Sequence, residues 1–256
     1  MNLTVSESGI ATFTLDNPPV NAIGEPELHE MSSAVEILRT STHLSAVVFR
    51  SRGRHFSAGA DMKLIASWDD DTDPGYQMVS YSALLQDLFF RIEHLPMPTI
   101  AVIDGTAAGA GLELALACDL RVLGANAKLG LPEARFGWIA SAGGTQRLTR
   151  QIGPSAALKL MLFDEMIGAD EAFRLGLGQW ISQAGDDLEG LVEALTVRLA
   201  QLPKAAVRAI KQLVSSDSGS GFSKELLYTR LLEQEPESKV LFRSFLESRR
   251  RAKGAN

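Results

Sequence analysis

Short apolar strands that end in glycine-rich turns and lead into helices recur along the first two thirds of this 256-residue chain. Residues 99–103 have the pattern of a buried strand, Gly105 turns the chain, and residues 109–117 begin a helix. The same pattern predicts strands at 46–50 and 121–124. Successive strand–turn–helix units predict an α/β core in which the turns at strand ends form the site.

The C-terminal part has a different pattern, because only helical spacing remains from Asp187 onward. We therefore predict a core at residues 1–186 and a helical region at residues 187–256. The apolar faces of these helices should pack on the core or on another subunit. Within the core, the acidic stretch 68–75 is interpreted as a solvated connection, with a mobile rim over a pocket as the alternative.

Composition argues against several functional classes. The chain has 25 basic and 31 acidic residues, and its formal charge of −6 argues against a broad nucleic-acid surface. Its single cysteine, Cys118, is expected to be a buried thiol, and its four histidines show no metal-ligand spacing. The N-terminus lacks signal-peptide features, and no apolar stretch is long enough to span a bilayer. We expect a cytoplasmic protein with no membrane segment and no metal.

Two glutamates, Glu113 and Glu133, lie in apolar sequence beside glycine-rich turns. A carboxylate in apolar surroundings loses solvation of its charged form, so its pKa tends to rise toward working pH. Two such groups near one substrate would form an acid–base pair that adds or removes water, or moves a proton.

Two small-residue turns carry candidate N–H donors. Small residues around Ala60 and Ala110 allow a backbone to approach a ligand closely, and a helix start leaves N–H groups free. Two such donors on one thioester oxygen would make an oxyanion hole. The structural alternatives are a tight turn between strand and helix at Ala60, and close helix packing at Ala110.

These segments together resemble the enoyl-CoA hydratase/isomerase (crotonase) family in order and spacing, and the resemblance covers nearly the whole chain. The matching segments are residues 16–22, 56–61, 105–115, 131–133 and 142–148. The resemblance implies a spiral of ββα units followed by a C-terminal helical region that forms trimers, with two trimers often stacked. It also implies an acyl-CoA thioester substrate and no separate cofactor, because CoA is part of the substrate.

The resemblance assigns roles to particular residues. Ala60 and Ala110 fall where the family places its two oxyanion N–H groups. Glu113 falls on the glutamate that helps to activate the attacking water, and Glu133 on the one that exchanges the α-proton. The predicted substrate-binding residues are Ala58, Ala60, Asp61, Met62, Lys63, Ala110 and Ser141.

Some positions depart from the family pattern. Ala110 stands where glycine is common, and its methyl group should narrow the pocket or restrict φ. Ser141 could hydrogen-bond a polar acyl group or cap the following helix, and we favour the cap. The tail at 242–251 lacks a glutamate–glycine step that is frequent there. The basic residues that could meet CoA phosphates, or could simply be solvated, are Arg52, Arg54, Lys63 and Arg249–Arg251.

The leading hypothesis is a 2-enoyl-CoA hydratase that uses both glutamates. The alternative within the family is an enoyl-CoA isomerase, for which one carboxylate can suffice, or another CoA-thioester reaction on the same scaffold. A non-catalytic or RNA-associating relative is disfavoured by the acidic balance and by the retained glutamate pair.

Overall fold

A computed structural model describes residues 2–68, 73–215, 224, 226–232, 235–241, 244 and 247. The chain forms two compact units, Met1–Ala200 and Gln201–Asn256. Half of the acidic stretch at 68–75, residues 69–72, lies outside the described residues, as does most of the tail at 242–251.

The first unit alternates strands with helices. In chain order its elements are β1 (Asn2–Val5), β2 (Ile10–Leu15), α1 (Glu25–Thr40), β3 (Ala46–Ser51), β4 (His55–Ser57), α2 (Met62–Ala66), α3 (Pro74–Glu93), β5 (Thr99–Ile103), β6 (Thr106–Ala108), α4 (Ala110–Ala117), β7 (Leu120–Leu123), β8 (Lys128–Gly130), the 3₁₀ turn Pro132–Phe136, α5 (Gly144–Ile152), α6 (Pro154–Leu162), β9 (Ile167–Gly168), α7 (Ala169–Arg174), β10 (Trp180–Ile181) and α8 (Leu188–Ala200).

The strands form two sheets. The larger has the order β1-β2-β3-β5-β7-β10, and every neighbouring pair except β1–β2 is parallel. The smaller has the order β4-β6-β8-β9, with only β8–β9 antiparallel. These sheets and their helices confirm the predicted α/β class.

Three times in succession, one strand of the larger sheet and one strand of the smaller sheet are followed by a helix. The strand pairs β3–β4, β5–β6 and β7–β8 lead respectively to α2, to α4 and to the 3₁₀ turn with α5. In each unit a short second strand of three residues, which the sequence interpretation did not predict, lies between the first strand and the helix. This repetition is the ββα arrangement that the family resemblance implies.

The core lies against the larger sheet. All five residues of β5 are buried, as expected for a central strand of a parallel sheet that is covered on both faces. On one side, α1 contributes its buried stripe of Leu28, Met31 and Leu38. On the other side, Val192 and Leu195 of α8 join a second apolar cluster with strand residues.

The sequence interpretation missed α3, the 20-residue helix Pro74–Glu93. Asp73 caps it by accepting a hydrogen bond from the Tyr76 N–H at 2.9 Å, and Pro74 occupies the first turn. Its buried residues Leu85, Leu88, Phe89 and Ile92 have helical spacing, so the signal was present. The predicted connection is correspondingly shorter, because residues 74 and 75 belong to the helix.

The described part of the second unit is mainly helical. It contains α9 (Lys204–Val214) and helical residues at 226–232 and 236–241. The Tyr228 hydroxyl donates to the Gln212 side-chain oxygen, which connects two of these helical segments. Helix α8 packs with the first unit, which extends to Ala200. The division of functions after residue 186 stays a prediction. Among the described residues, no helix combines the length and apolar character needed to cross a bilayer.

Candidate active site

The parallel strands of the smaller sheet bring three predicted site segments to one edge. Ala60 follows β4, Ala110 follows β6 and Glu133 follows β8, each by two or three residues. Because β4, β6 and β8 are parallel neighbours, their carboxyl ends meet at the same edge of the sheet. Residues far apart in sequence thus become neighbours.

A cavity of about 940 Å³ opens at this edge. The predicted site residues that line it are Ala58, Ala60, Met62, Ala110, Glu113, Glu133 and Ser141. Asp61 and Lys63 are not among the described residues that line it. The Asp61 carboxylate instead caps α2 by accepting a hydrogen bond from the Lys63 N–H at 2.8 Å.

Glu113 lies in the first turn of α4 and is only 2% exposed. Its Oε1 accepts hydrogen bonds from the N–H groups of Ala142, at 2.8 Å, and Gly144, at 2.7 Å. A Cβ atom added to Gly144 would lie 2.8 Å from this oxygen, so only glycine leaves room for the carboxylate there. Close packing at the start of α5 therefore determines where Glu113 points.

The surroundings of Glu113 bring its proton affinity near neutrality. Burial raises its pKa to about 7, and the charge of Glu133 adds to the rise. The N–H donors of Gly144 and Ala142 oppose it, because they stabilise the charged form. At neutral pH this carboxyl group can therefore both accept and release a proton.

Glu133 lies in the 3₁₀ turn, where burial also raises its pKa. Its Oε2 is buried and has no hydrogen-bond partner in the described part of the chain. A Cβ atom added to Gly109 would lie 3.0 Å from its Oε1, which places this carboxyl group beside the start of α4. An unpartnered buried acceptor is costly unless it serves a ligand, a water molecule or a proton.

The N–H groups of Ala60 and Ala110 are positioned by tight backbone contacts. Gly59 adopts φ +100°, and a Cβ atom there would lie 2.7 Å from the Ala108 carbonyl oxygen and 3.1 Å from the Ala110 nitrogen. Gly59 thereby lets the two segments approach. Neither N–H donates to an acceptor within the described residues, so both remain available to a ligand.

Ala110 is accommodated without backbone strain. Gly109 takes the positive φ of +51°, and Ala110 begins the helix with its methyl group beside the cavity. Of the two effects predicted for this alanine, a narrower pocket is therefore the one that its position allows.

The favoured interpretation of Ser141 as a helix cap is wrong. Helix α5 begins at Gly144, its N-cap is Gly143, and no described side chain caps it. The Ser141 hydroxyl instead hydrogen-bonds the Ser82 hydroxyl at 2.8 Å. Gly143 at φ +99° inserts an extra turn between Ser141 and the helix, which places Ser141 on the cavity wall.

The largest contribution that the sequence interpretation missed comes from α3. Tyr81, Ser82 and Gln86 line the cavity from this helix, together with apolar neighbours. The Tyr81 hydroxyl donates to the Ile23 carbonyl oxygen. The remaining wall is mainly apolar and includes Ile65, Met78, Val79, Leu85, Phe136, Trp138, Ile139 and Met166.

The predicted cation sites give a mixed picture. Arg52 forms an ion pair with Asp16 at 2.9 Å. Arg54 and Lys63 are exposed to solvent. Arg249–Arg251 lie outside the described residues. Within the described part of the chain, no three His, Cys, Asp or Glu side chains are grouped so that they could hold a metal ion.

Comparison with known proteins identifies the family and the fold. Residues 5–250 match the family model described as enoyl-CoA hydratase/isomerase. A Bacillus subtilis protein named probable enoyl-CoA hydratase is 35% identical over 94% of this chain and 93% of its own length.

A second relative is the Arabidopsis thaliana protein named probable enoyl-CoA hydratase 2, mitochondrial. It is 36% identical over 97% of this chain and 82% of its own length. The crystal structure of enoyl-CoA hydratase from Bacillus anthracis superposes with a TM-score of 0.89, at 28% identity, over 97% of both chains. These matches confirm the crotonase-like fold. The chain belongs to the enoyl-CoA hydratase/isomerase family.

Proposed function

We propose that this protein is an enzyme that adds water across the 2,3-double bond of an enoyl-CoA thioester. The observation that carries the proposal is the pair of carboxyl groups on one cavity, the buried Glu113 and the half-buried Glu133. Hydration needs one group that accepts a proton from water and another that gives a proton to carbon. The names of the relatives support the same reaction.

The proposed reaction begins with polarisation of the thioester carbonyl. The N–H groups of Ala60 and Ala110 form an oxyanion hole that binds its oxygen. Ionised Glu113 takes a proton from water as the water oxygen bonds to the β-carbon. The electron pair of the double bond moves toward the thioester oxygen, and negative charge develops where the two donors stabilise it.

The second half of the reaction returns the charge to carbon. Protonated Glu133 gives its proton to the α-carbon as the enolate collapses, which completes the 3-hydroxyacyl thioester. The raised pKa of Glu133 supports this role, because burial favours its protonated form. Proton exchange with solvent then restores an ionised Glu113 and a protonated Glu133.

The cavity wall supports an acyl group as the occupant. Its mainly apolar lining at α3 and the 3₁₀ turn fits hydrocarbon. Charged residues, which are Glu113, Glu133, Lys128 and Arg135, form a smaller part of the lining. We place the acyl chain against the apolar part of the lining. Ala58, Asp61, Met62 and Lys63 are proposed to meet the CoA moiety at the mouth.

Turnover of crotonyl-CoA and of longer, branched and aromatic enoyl-CoA esters tests the proposal, with loss of the conjugated thioester absorbance as the readout. We expect hydration by the native protein and strong suppression in Glu113→Gln and in Glu133→Gln. Native turnover in either variant would contradict the role of that glutamate. Binding of CoA esters without hydration of any of them would favour the isomerase alternative, which shifted-alkene esters would then test.

The proposed chemistry uses no metal and no redox cofactor. Every step above is carried by two carboxyl groups and two N–H donors. Dialysis against a strong chelator should therefore leave kcat unchanged. A loss of activity that Zn²⁺ or Mg²⁺ restores would contradict this part of the proposal.

Assembly and location complete the proposal. We propose a homotrimer or a dimer of trimers, supported by exposed apolar side chains such as Leu226, Leu227 and Val240 in the C-terminal helices. The acidic net charge supports a protein with no nucleic-acid partner. A cytoplasmic location stays a prediction that cell fractionation would test, since the Arabidopsis relative is named as mitochondrial.

A further inference from the structure

One peptide group beside Glu113 is held from both sides. The N–H of Ala142 donates to Glu113 Oε1 at 2.8 Å. On the other edge of the same peptide, the Ser141 carbonyl oxygen accepts a hydrogen bond from Gln86 Nε2 at 2.6 Å. A carbonyl oxygen can only accept, so the side-chain amide of Gln86 must present its nitrogen here. Because the peptide is planar, Gln86 and Glu113 are connected through a single rigid unit.

Helix α3 makes a second contact with Ser141. Ser82 and Gln86 are four positions apart and therefore lie on one face of the helix. Ser82 binds the Ser141 hydroxyl at 2.8 Å, while Gln86 binds its carbonyl group. Helix α3 thus holds both the side chain and the main chain of Ser141.

The held peptide lies in a segment with little regular structure of its own. Residues 138–142 contain no helix or strand and lie between Gly137 at φ +74° and Gly143 at φ +99°. The Arg147 guanidinium, which is paired with Glu93, donates to the Ala142 carbonyl oxygen at 3.0 Å and so holds the following peptide. The Ser141–Ala142 peptide depends on a different donor, which is Gln86.

We propose that Gln86 is a positioning residue that keeps the Ala142 N–H directed at Glu113. The inference rests on the hydratase reaction proposed above, in which Glu113 accepts the proton of water. Without the Gln86 donor, the peptide can rotate about its flanking bonds and Glu113 loses one of its two N–H partners. A hydrogen bond to the carbonyl oxygen also polarises the peptide and strengthens the donor on its other edge.

Loss of the Gln86 donor should raise the pKa of Glu113, because the N–H groups stabilise its charged form. The Ala142 N–H favours ionised Glu113 and lowers its pKa, so losing this donor raises the pKa above its native value of about 7. The other charged or titratable groups that act on Glu113 are Glu133, Arg147 and Tyr81, and all of them stay unchanged when a neutral residue replaces Gln86. A rise of about one pH unit would leave about a tenth of Glu113 ionised at pH 7 instead of half, a roughly fivefold loss of active enzyme.

The test variant is Gln86→Met, which keeps the length of the side chain but removes its donor. Infrared difference spectra of the substrate-free protein, recorded as a pH titration, would follow the Glu113 carboxyl group, with Glu113→Gln identifying its band. We expect the pKa of Glu113 to be higher in Gln86→Met. In the hydratase assay, kcat should fall about fivefold at pH 7 and recover as the pH increases.

Two further variants sharpen the test. Gln86→Lys keeps an N–H donor and adds a positive charge, and because both favour ionised Glu113, its pKa should not rise. Asp87→Asn changes the next position of α3, which pairs with Arg91 and does not line the cavity, and should leave the titration and kcat as in the native protein.

Three outcomes would overturn the inference: an unchanged titration of Glu113 in Gln86→Met, an equal loss of kcat at every pH, or the same rise in Gln86→Lys. The infrared titration needs no turnover, so it separates this inference from the proposed function. A native protein that hydrates no ester would overturn the function, while a higher pKa in Gln86→Met would still establish the positioning role.

Discussion

Glu113 depends on glycine at the positions around it. Its carboxylate occupies space that a side chain at Gly144 would fill, and it binds the N–H of that same residue. Burial and two N–H donors act on its pKa in opposite directions, and burial is the larger effect. The result is a carboxyl group that titrates near neutral pH although glutamate ordinarily titrates near 4.5.

Glu113→Gln should lower kcat for hydration by about 10²–10⁴-fold, the range expected for loss of a general base. The glutamine side chain keeps an oxygen that can accept from Ala142 and Gly144, so the fold should be retained. Steady-state kinetics and thermal unfolding would measure the two effects. Glu193→Gln, the same change at an exposed position of α8, is the matched control. A variant that unfolds, or that turns over like the native protein, would contradict the prediction.

The free energy of unfolding should fall as the pH rises from about 4.5 to about 7. In this range Glu113 is ionised in the unfolded chain but still protonated in the folded protein. The folded pKa of about 7 lies above the ordinary value of 4.5, so the folded state binds the extra proton between these values. The contribution of Glu113 is present below pH 4.5 and is lost by pH 7, a change of about 3 kcal/mol. Denaturant unfolding at several pH values would measure it. Glu113→Gln should lack this part of the pH dependence, and identical slopes in the two proteins would contradict the assignment.

Gly144→Ala should displace the Glu113 carboxylate, because the added Cβ atom would lie 2.8 Å from Oε1 and 2.9 Å from the Ala140 Cβ atom. We expect a loss of about 1–3 kcal/mol of stability from this overpacking, together with reduced kcat. Gly168→Ala is the control, since nothing lies within 4 Å of its added Cβ atom and its φ is −78°. Equal effects of the two substitutions in unfolding and kinetic measurements would show that crowding at Glu113 is not the cause.

At the scale of elements, α3 connects the two halves of the site. Gln86 and Ser82 hold the segment that binds Glu113, and Tyr81 acts on the segment that carries Ala60. The Ile23 carbonyl oxygen accepts from both the Tyr81 hydroxyl and the Asp61 N–H. Because the Ile23 N–H in turn donates to the Gly59 carbonyl oxygen at 2.8 Å, this bridge restrains Ala60 from both sides.

Tyr81→Phe should therefore lower kcat, because the Ala60 N–H is held less firmly, while it changes the free energy of unfolding only slightly. The Asp61 N–H still satisfies the Ile23 carbonyl oxygen, so the free energy of unfolding should fall by only about 1 kcal/mol. We expect kcat to fall by about tenfold, because catalytic groups lose rate steeply when displaced. Tyr76→Phe, on the same helix but 67% exposed, should change neither quantity. Equal kcat values of the two variants would rule out a role for the Tyr81 hydroxyl in positioning Ala60.

At the scale of the whole molecule, apolar surface remains exposed on the single chain. Leu162 and Phe163 at the end of α6 are exposed, as are Leu226 and Leu227 in the second unit. Sedimentation velocity at micromolar concentration should show a trimer or a hexamer, because surface of this kind is normally covered by another subunit. A monomer would contradict the predicted assembly. Leu226→Glu with Leu227→Glu should shift the distribution toward smaller species if these residues lie in a subunit interface.

The sequence alone was sufficient for the α/β class, for the boundaries of β5, and for the family through its joint motifs. Such features depend on local periodicity and on turn residues, which are written in contiguous segments. It also indicated that Glu113 and Glu133 were unusual, because both lie in apolar sequence.

Only the tertiary structure determined how these pieces act on one another. The strands β4, β6 and β8 are three residues long, too short for a periodic signal, yet their pairing brings the site together. The role of α3 and the true contacts of Ser141 arise from pairs of residues more than 50 positions apart. Side-chain packing sets the pKa of Glu113 as well, since desolvation depends on which distant residues exclude water from it.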